Sequence, residues 1–380
     1  MILKKLQYHE HKDAPHYWEI QDVELGQRNL IVGLNATGKT RLLQAISKLA
    51  GFISPVNKFI SYSDLSKRPP NLHFLENGYW KVQFYDATEH VIIVYELETV
   101  NLVDAVDHST VKTEKITANG KIILNRSYNK VEIDGMLQNI PFDSLSQLHD
   151  PIAEKLIYWA KESLLFHFDH RNQFEKYYQD EQKKENEKAP KMIIIFMELL
   201  ENNVTKEKLI EDFNYIGYPI DDISIEQLKH QPFFGDTDDI IVVSVKEKGL
   251  LGPTAYYRMS QGMFRAFTLI AVIEDLLLRN SECTVVIDDI GEGLDFERSS
   301  KLIKLIFNKL KDSNIQFIAA TNNRFLINAV DISELNVLER EGHVVKSYNY
   351  SNSKERFDHF DFMGLGTFDL FRLQMYKAQE

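Results

Sequence analysis

Cysteine is almost absent from this sequence, and long apolar segments do not occur in it. The 380-residue chain contains a single cysteine, Cys283, so an internal disulfide is excluded. No apolar stretch approaches the roughly 20 residues that a membrane-spanning helix requires. Residues 1 to 25 lack the apolar segment of a signal peptide. We therefore expect a reducing, cytoplasmic protein that has no membrane partner.

The sequence also lacks an excess of basic residues. It has 44 lysines and arginines against 56 aspartates and glutamates, which gives a net charge of -12. Binding of nucleic acid by charge alone needs clustered basic side chains, so this balance argues against a surface that wraps DNA or RNA. A local basic groove stays open. The hydrophobic content of 44% is ample for one large α/β domain with an insertion, or for two modest domains.

The apolar pattern predicts four regions along the chain. The first contains a Gly-rich loop between a strand and a helix, followed from about residue 78 by the alternation typical of antiparallel strands. In the second region the pattern predicts helices and a short strand at residues 164–170, in the third it returns to alternating strands and helices, and the fourth is rich in phenylalanine. These regions are the N-terminal half of a head domain at 1–150, a helical insertion at 151–238, the C-terminal half of the head at 239–345 and a Phe-rich tail at 346–380.

The segment Gly33–Thr40, GLNATGKT, fits the P-loop pattern of nucleotide-binding proteins. A predicted buried strand precedes it and a predicted helix follows it, and this context argues against a chance lysine in a glycine-containing turn. The backbone N–H groups of such a turn, with the helix N-terminus behind them, bind phosphate oxygens. In such a loop we expect Lys39 to add a positive charge and the Thr40 hydroxyl to be a ligand for Mg²⁺. The predicted ATP contacts are Asn35, Ala36, Thr37, Gly38, Lys39, Thr40 and Arg41.

Four carboxylates follow the apolar run Thr284–Ile287, within the sequence DDIGEGLD. The run is short, β-branched and uniformly apolar, which predicts a strand buried on both faces. Open α/β sheets place their chemistry at the C-terminal edge of such strands. The residues alone leave open which acid holds a metal, which activates a water and which only makes a turn.

A third motif lies between these two. Met259–Arg265, MSQGMFR, opens a long apolar helix that leads to the acidic strand. A Ser-x-Gly before a helix is by itself a common N-cap. In the order P-loop, Ser-x-Gly helix and acidic strand, however, the chain resembles ABC-type ATPases, in the version that SMC-like and RecF-like members carry. The resemblance covers roughly residues 1 to 50 and 240 to 325 by motif.

The resemblance implies that the Ser-x-Gly motif acts on a second subunit. Ser260 and Gly262 would contact ATP held by the P-loop of another copy, because a hydroxyl at a helix N-terminus suits a γ-phosphate. One P-loop and one such motif per chain imply a two-fold homodimer with ATP at its interface, or a larger homo-oligomer. Residues Gly293–Asp295 match the family's interface loop, whereas Glu292 has no family role.

The same resemblance implies metal and catalytic roles at the acidic strand. Asp288 falls on the aspartate that orients Mg²⁺, and Asp289 falls where the family has a glutamate that polarises the attacking water. The shorter side chain sets that carboxylate back by about 1.5 Å. Asn322 falls where the family usually has a histidine, and it cannot carry positive charge. We expect Asp289, Asn322 and Lys39 to catalyse slow hydrolysis; the alternative is that both exchanges are tolerated and turnover is ordinary.

The predicted fold class is α/β: a P-loop NTPase with an ABC-type head, a mixed or parallel core sheet, an antiparallel β subdomain and a helical insertion. The insertion is too short and too irregular for the coiled arm of an SMC protein. The C-terminal tail lacks the acidic constellation of the overcoming-lysogenization-defect nucleases. The chain therefore resembles the stand-alone AAA-type ATPases that accompany bacterial anti-phage defence or toxin modules.

That resemblance implies a dimeric switch with ATP and Mg²⁺ as cofactors, which controls a separate effector protein. Two alternatives stay open. A RecF- or SMC-like DNA-repair ATPase would bind duplex DNA through a local basic groove. A non-hydrolysing scaffold would dimerise with ATP and release no phosphate.

The Phe-rich tail has two interpretations. Its aromatic side chains form a docking segment for a partner protein, or they pack back onto the sheet of their own chain. The phenylalanines concerned are Phe357, Phe360, Phe362, Phe368 and Phe371.

Overall fold

The structure is a computed structural model that describes residues 1–54, 77–101, 109–127, 130–133, 136–138, 145–166, 191–228 and 240–377. Two compact units can be distinguished. The first unit comprises Met1–His167, Glu282–Ile290 and Asn314–Glu380, and the second comprises Phe168–Ser281 and Gly291–Ser313. Each unit thus combines segments that are far apart in the sequence.

The described strands, in chain order, are β1 Ile2–Glu10, β2 Trp18–Glu24, β3 Arg28–Val32, β4 Gly78–Asp86, β5 Val91–Asn101, β6 Ser109–Ala118, β7 Lys121–Ser127, β8 Lys130–Ile133, β9 Met136–Gln138, β10 Leu164–Phe166, β11 Ile220–Leu228, β12 Ile240–Glu247, β13 Thr254–Ala255, β14 Thr284–Ile287, β15 Gln316–Thr321, β16 Leu335–Glu341 and β17 Val344–Asn349. The described α-helices are α1 Lys39–Ile53, α2 Pro151–Glu162, α3 Lys191–Glu201, α4 Asn203–Ile216, α5 Gln261–Leu278, α6 Phe296–Leu310, α7 Arg324–Ile327, α8 Lys354–Phe362 and α9 Thr367–Arg372.

A mixed sheet runs through the first unit, in the order β10-β14-β15-β3-β16-β17-β2-β1-β4-β5-β6-β7-β8-β9. The strands in the run β10-β14-β15-β3-β16 are parallel to one another. Strand β17 is antiparallel to β16 and parallel to β2. From β2 onward the order β2-β1-β4-β5-β6-β7-β8-β9 is antiparallel throughout. The predicted mixed α/β architecture is confirmed, but the antiparallel segment continues the core sheet and does not form a sheet of its own.

The parallel centre of this sheet is buried as its composition predicts. All four residues of β14 and all six residues of β15 are buried. Two tryptophan N–H groups attach the helices to the sheet: Trp80 Nε1 donates to the Ala45 carbonyl at 2.9 Å, and Trp159 Nε1 donates to Thr284 Oγ1 at 2.8 Å. Because both tryptophans are buried, these bonds satisfy donors that would otherwise be left unpaired.

The second unit contains α3, α4, α5 and α6 together with the antiparallel sheet β11-β12-β13. In the range 151–238, sequence reasoning predicts helices and one short strand at residues 164–170, where the structure has β10. The described part of that range also contains strand β11, which was not predicted and which pairs with β12. The apolar alternation of β11 is interrupted by acidic residues, which hides it from a pattern search. Residues 167–190 and 229–239 lie outside the described part of the chain.

The Phe-rich tail folds mainly into helices α8 and α9. Phe357 and Phe360 are buried, whereas Phe362 is 91% exposed. Phe368 and Phe371 are half-buried. The structure therefore supports packing for two of the five phenylalanines and leaves one on the surface. Within the described ranges, no helix combines the length and apolar character needed to cross a bilayer.

Candidate functional site

The carboxyl ends of four parallel strands meet at one edge of the first unit's sheet. The P-loop follows β3, the two aspartates follow β14, Asn322 follows β15, and Arg340 lies near the end of β16. Side chains at such an edge converge although their sequence positions are distant. They surround a pocket of about 410 Å³ that is lined by Trp18, Asn35, Ala36, Gly38, Lys39, Thr40, Arg41, Asp289, Asn322 and Arg340.

The P-loop backbone is shaped to receive an anion. Ala36 and Gly38 have left-handed φ angles of 65° and 105°, and a Cβ on Gly38 would overlap the ring of Trp18. The first backbone bond of α1 runs from the Leu42 N–H to the Gly38 carbonyl at 2.9 Å. The three N–H groups of residues 39–41 therefore have no partner within the helix, and donors in this arrangement are suited to an anion. Thr37 is buried, and its hydroxyl donates to the Leu34 carbonyl at 2.9 Å.

The Lys39 side chain folds back onto the P-loop. Its Nζ donates to the Gly33 carbonyl at 2.9 Å and to the Leu34 carbonyl at 3.1 Å. Burial lowers the pKa of Lys39, while the charges of Asp289 and Asp288 act in the opposite direction. A phosphate entering the pocket would offer this ammonium a charged acceptor in place of two neutral carbonyls, and hydrogen bonds between charged partners are stronger.

The two aspartates after β14 have different positions. Asp288 is half-buried, and its Oδ1 accepts from the Asp289 N–H at 3.1 Å. Asp289 is exposed, lines the pocket and has a left-handed φ of 47°. Such a backbone is uncommon for a residue with a side chain and often occurs at functional sites. The turn redirects the chain so that the second carboxylate faces the P-loop.

The donor set at this edge suits Mg²⁺. The described residues include no group of three or more His, Cys, Asp or Glu side chains that could hold a metal ion. Mg²⁺ usually takes one or two protein oxygens and completes its shell with phosphate oxygens and water. Thr40 lines the pocket, and the half-buried Asp288 precedes the lining residue Asp289. Their hydroxyl and carboxylate are oxygen ligands of the kind that could hold a metal arriving with a nucleotide.

Asn322 contacts the P-loop from the side of β15. Its Nδ2 donates to Asn35 Oδ1 at 2.5 Å, and both side chains are exposed. Arg41 and Trp18 also line the pocket. The Arg41 guanidinium lies 4.8 Å from the Trp18 ring centroid and pairs with Glu10 at 3.1 Å. Sequence reasoning missed Trp18 and Glu10, because neither belongs to a motif and only strand pairing brings them to the P-loop.

The predicted signature residues lie in the second unit. Ser260 caps α5, and its Oγ accepts from the Met263 N–H at 3.2 Å. Gly262 is buried, and a Cβ placed on it would overlap the carbonyl oxygen of Gly293. Arg265 donates to the Glu292 carbonyl at 3.1 Å and to its carboxylate at 2.7 Å. Glu292, to which the motif resemblance assigns no role, thus ties the start of α5 to the loop after the acidic strand.

Gly262→Ala should destabilise the protein by about 1–3 kcal/mol, because the added methyl group would overpack against the Gly293 backbone. Urea unfolding of the variant and the parent chain measures the difference. Gly252→Ala is the matched control, since a Cβ there meets nothing within 4 Å. Equal midpoints for the two variants would contradict the close approach at Gly262.

Comparison with known proteins finds similarity in the fold. No protein-family model matches the chain, and no curated protein matches it. Among solved structures, an SMC head bound to the C-winged helix domain of ScpA matches with a TM-score of 0.51 at 15% identity, over 91% of this chain and 97% of that chain. An SMC head domain from Thermotoga maritima has a TM-score of 0.43 at 15% identity, over 92% and 99%.

An SMC head domain with an extended coiled coil, bound to the C-terminal domain of ScpA derived from Pyrococcus furiosus, has a TM-score of 0.46 at 14% identity, over 94% and 99%. Of these three, the ScpA-bound head described first has a TM-score above 0.5. Its similarity, at low sequence identity and over most of both chains, shows that this chain has the fold of an SMC head domain.

Proposed function

We propose that this protein binds ATP with Mg²⁺, hydrolyses it slowly, and uses the nucleotide to control its own dimerisation. One observation carries the proposal: a left-handed P-loop turn, a buried lysine and a carboxylate converge on a single pocket. Each of these features has a partner on a Mg·triphosphate. The N–H groups and Lys39 suit phosphate oxygens, and the carboxylate suits a water.

In this proposal each side chain has a separate task. Thr40 and Asp288 would hold Mg²⁺, which would neutralise part of the phosphate charge. Asp289 accepts a proton from the attacking water, and Asn322 donates a neutral hydrogen bond to the terminal phosphate. We expect slow turnover, because the aspartate is one methylene shorter than a glutamate and the amide brings no positive charge.

The dimer is proposed from the start of α5. Ser260 is exposed at the helix N-terminus, where its Oγ accepts from the Met263 N–H and its side chain also hydrogen-bonds with Tyr218. A phosphate oxygen would offer this hydroxyl a charged acceptor in place of the neutral tyrosine oxygen. The positive end of the helix dipole adds to the attraction for an anion. We place these groups against the terminal phosphate held by a second copy, so that ATP joins two identical surfaces in a two-fold arrangement.

We further propose that the dimer acts on a separate effector protein in an anti-phage defence or toxin module. One structurally similar SMC head is bound to a domain of another protein, ScpA, and a switch of this kind couples ligand occupancy to an open or closed state. The competing proposal is a DNA-repair ATPase. The net charge of -12 disfavours it, and duplex binding that weakens steeply between two salt concentrations would favour it.

Lys39→Ala should weaken ATP binding by at least about tenfold, because the variant loses a charged hydrogen-bond donor to phosphate. Calorimetric titration with Mg·ATP measures the affinity, and phosphate release measured beside it separates a slow ATPase from a scaffold that hydrolyses nothing. Lys301→Ala is the control, since this lysine is paired with Glu297 on the surface of α6. Equal ATP affinity in the parent chain and Lys39→Ala would disprove the nucleotide site.

A further inference from the structure

Arg340 is a pocket residue to which no motif assigns a role. It lies in β16, its side chain is exposed, and it lines the same pocket as Lys39 and Asp289. Its Nε donates to the Gly342 carbonyl at 2.7 Å, and its Nη1 donates to the Ala36 carbonyl at 3.3 Å. A guanidinium has five N–H donors, so these two bonds to neutral oxygens leave most of its capacity for an anion unused.

The order of the strands determines on which side of the P-loop Arg340 lies. The parallel sequence β14-β15-β3-β16 places β16 and β15 on opposite sides of the strand that leads into the P-loop. Asn322, after β15, contacts Asn35, whereas Arg340 contacts Ala36. The aspartates follow β14, which lies on the Asn322 side. The pocket therefore has one end with carboxylates and another end with a guanidinium.

This asymmetry orients a bound nucleotide. The terminal phosphate and its Mg²⁺ belong at the carboxylate end. A carboxylate repels phosphate oxygens unless a metal ion lies between them. Adjacent strands are about 4.8 Å apart, so the guanidinium end lies beyond the P-loop in the direction of the nucleoside. The phosphate nearest the nucleoside then lies within reach of a planar donor group that matches its oxygens.

We propose that Arg340 binds the α-phosphate of the nucleotide and thereby contributes to the affinity for ATP and ADP alike. This inference rests on the proposed ATP-binding function. On binding, the guanidinium exchanges the Ala36 carbonyl for a phosphate oxygen, which is a stronger acceptor. Asn322 acts at the opposite end and distinguishes ATP from ADP.

A purely structural role for Arg340 would be to stabilise the P-loop conformation at Ala36. That residue has a left-handed φ of 65°, and the bond from Arg340 holds its carbonyl. Glycine adopts this backbone without the penalty that alanine carries. If bracing were the role of Arg340, then Ala36→Gly in the Arg340→Ala background would restore nucleotide binding. If the arginine contacts phosphate, the second substitution restores nothing.

The test is calorimetric titration of Mg·ATP and Mg·ADP into the parent chain and four variants. We expect Arg340→Ala to weaken both ligands by about tenfold, which is the loss of one hydrogen bond to a charged group. Asn322→Ala should weaken ATP more than ADP, and Ala36→Gly/Arg340→Ala should remain as weak as Arg340→Ala. Lys346→Ala is the control, because it removes a surface charge paired with Glu341 on the same hairpin and should change neither affinity.

Three results would overturn the assignment of Arg340: no weakening of either ligand, weakening of ATP alone, or restored affinity in the double variant. Failure of the ATP-binding function itself is recognised separately, because Lys39→Ala would then bind ATP as the parent chain does.

Discussion

Lys309→Met should lower the free energy of unfolding by about 3–5 kcal/mol, because it removes the cation from a buried charge cluster. In the second unit, Lys309 on α6 pairs with Asp212 of α4 at 2.7 Å and with Glu274 of α5 at 2.5 Å. Side-chain exposure is 10% for the lysine and the aspartate and 4% for the glutamate. Lys208 pairs with Glu274 at 3.0 Å, so Asp212 is the carboxylate that loses most in the variant.

The loss of stability should depend on pH with a defined sign. Burial raises the pKa of Asp212. For Lys309, burial lowers the pKa, but the hydrogen bonds with Asp212 and Glu274 raise it overall. Without the lysine, the folded-state pKa of Asp212 should rise further above its unfolded value. The penalty is then largest near neutral pH and shrinks as the pH falls through the folded-state pKa, since the buried carboxyl becomes neutral.

Urea unfolding at neutral and acid pH measures both effects. Lys301→Met is the matched control on the same helix, because its pair with Glu297 is 35% and 64% exposed. A surface pair of this kind contributes about 0.3–0.5 kcal/mol. If the two lysine variants lost equal stability, the cluster at Lys309 would not hold the three helices together.

Asp289→Asn should reduce phosphate release by about 100-fold or more while ATP binding is retained. General-base catalysis contributes roughly 10²–10⁴ to a rate, and an amide cannot accept the proton from water. Asparagine has the same shape as aspartate and tolerates the left-handed backbone at this position, where φ is 47°. The fold of the loop should therefore survive, and the ATP-bound dimer should persist longer than that of the parent chain.

Phosphate release, ATP affinity by calorimetry and dimer lifetime by analytical ultracentrifugation measure these three consequences. Asp312→Asn serves as the control, because this aspartate is exposed after α6 and does not line the pocket. Undiminished phosphate release in Asp289→Asn would rule out a catalytic role for the carboxylate. Loss of ATP binding would instead point to a structural role in the pocket.

Features set by neighbouring residues could be predicted from the sequence. The P-loop is one, because a strand, a glycine-containing turn and a helix start are encoded within a dozen positions. Strand β14 is another, since a β-branched apolar run forms a buried strand wherever the chain places it. The helix starts at Ser260 and Asp295 follow the same logic, because each side chain caps the N–H groups next to it.

Features that depend on distant pairings could not be predicted. Trp18 reaches the P-loop only because β2 is joined to the core sheet through β17, and Arg340 reaches Ala36 only because β16 pairs with β3. The contact between Arg265 and Glu292 joins a helix to a loop that belongs to another motif. No local pattern encodes these contacts, because they form when separate segments bury their apolar faces together.

By itself, the sequence determined that this chain has a glycine-containing turn between a strand and a helix, a buried strand that ends in two aspartates, and a capped helix. Only the tertiary structure decided which of their side chains share a pocket and which charges face each other across it. The physical reason is the sequence separation of the interacting residues. Backbone conformation and capping depend on neighbours within a few residues. A site, in contrast, forms where strands from distant parts of the chain end at the same edge of a sheet.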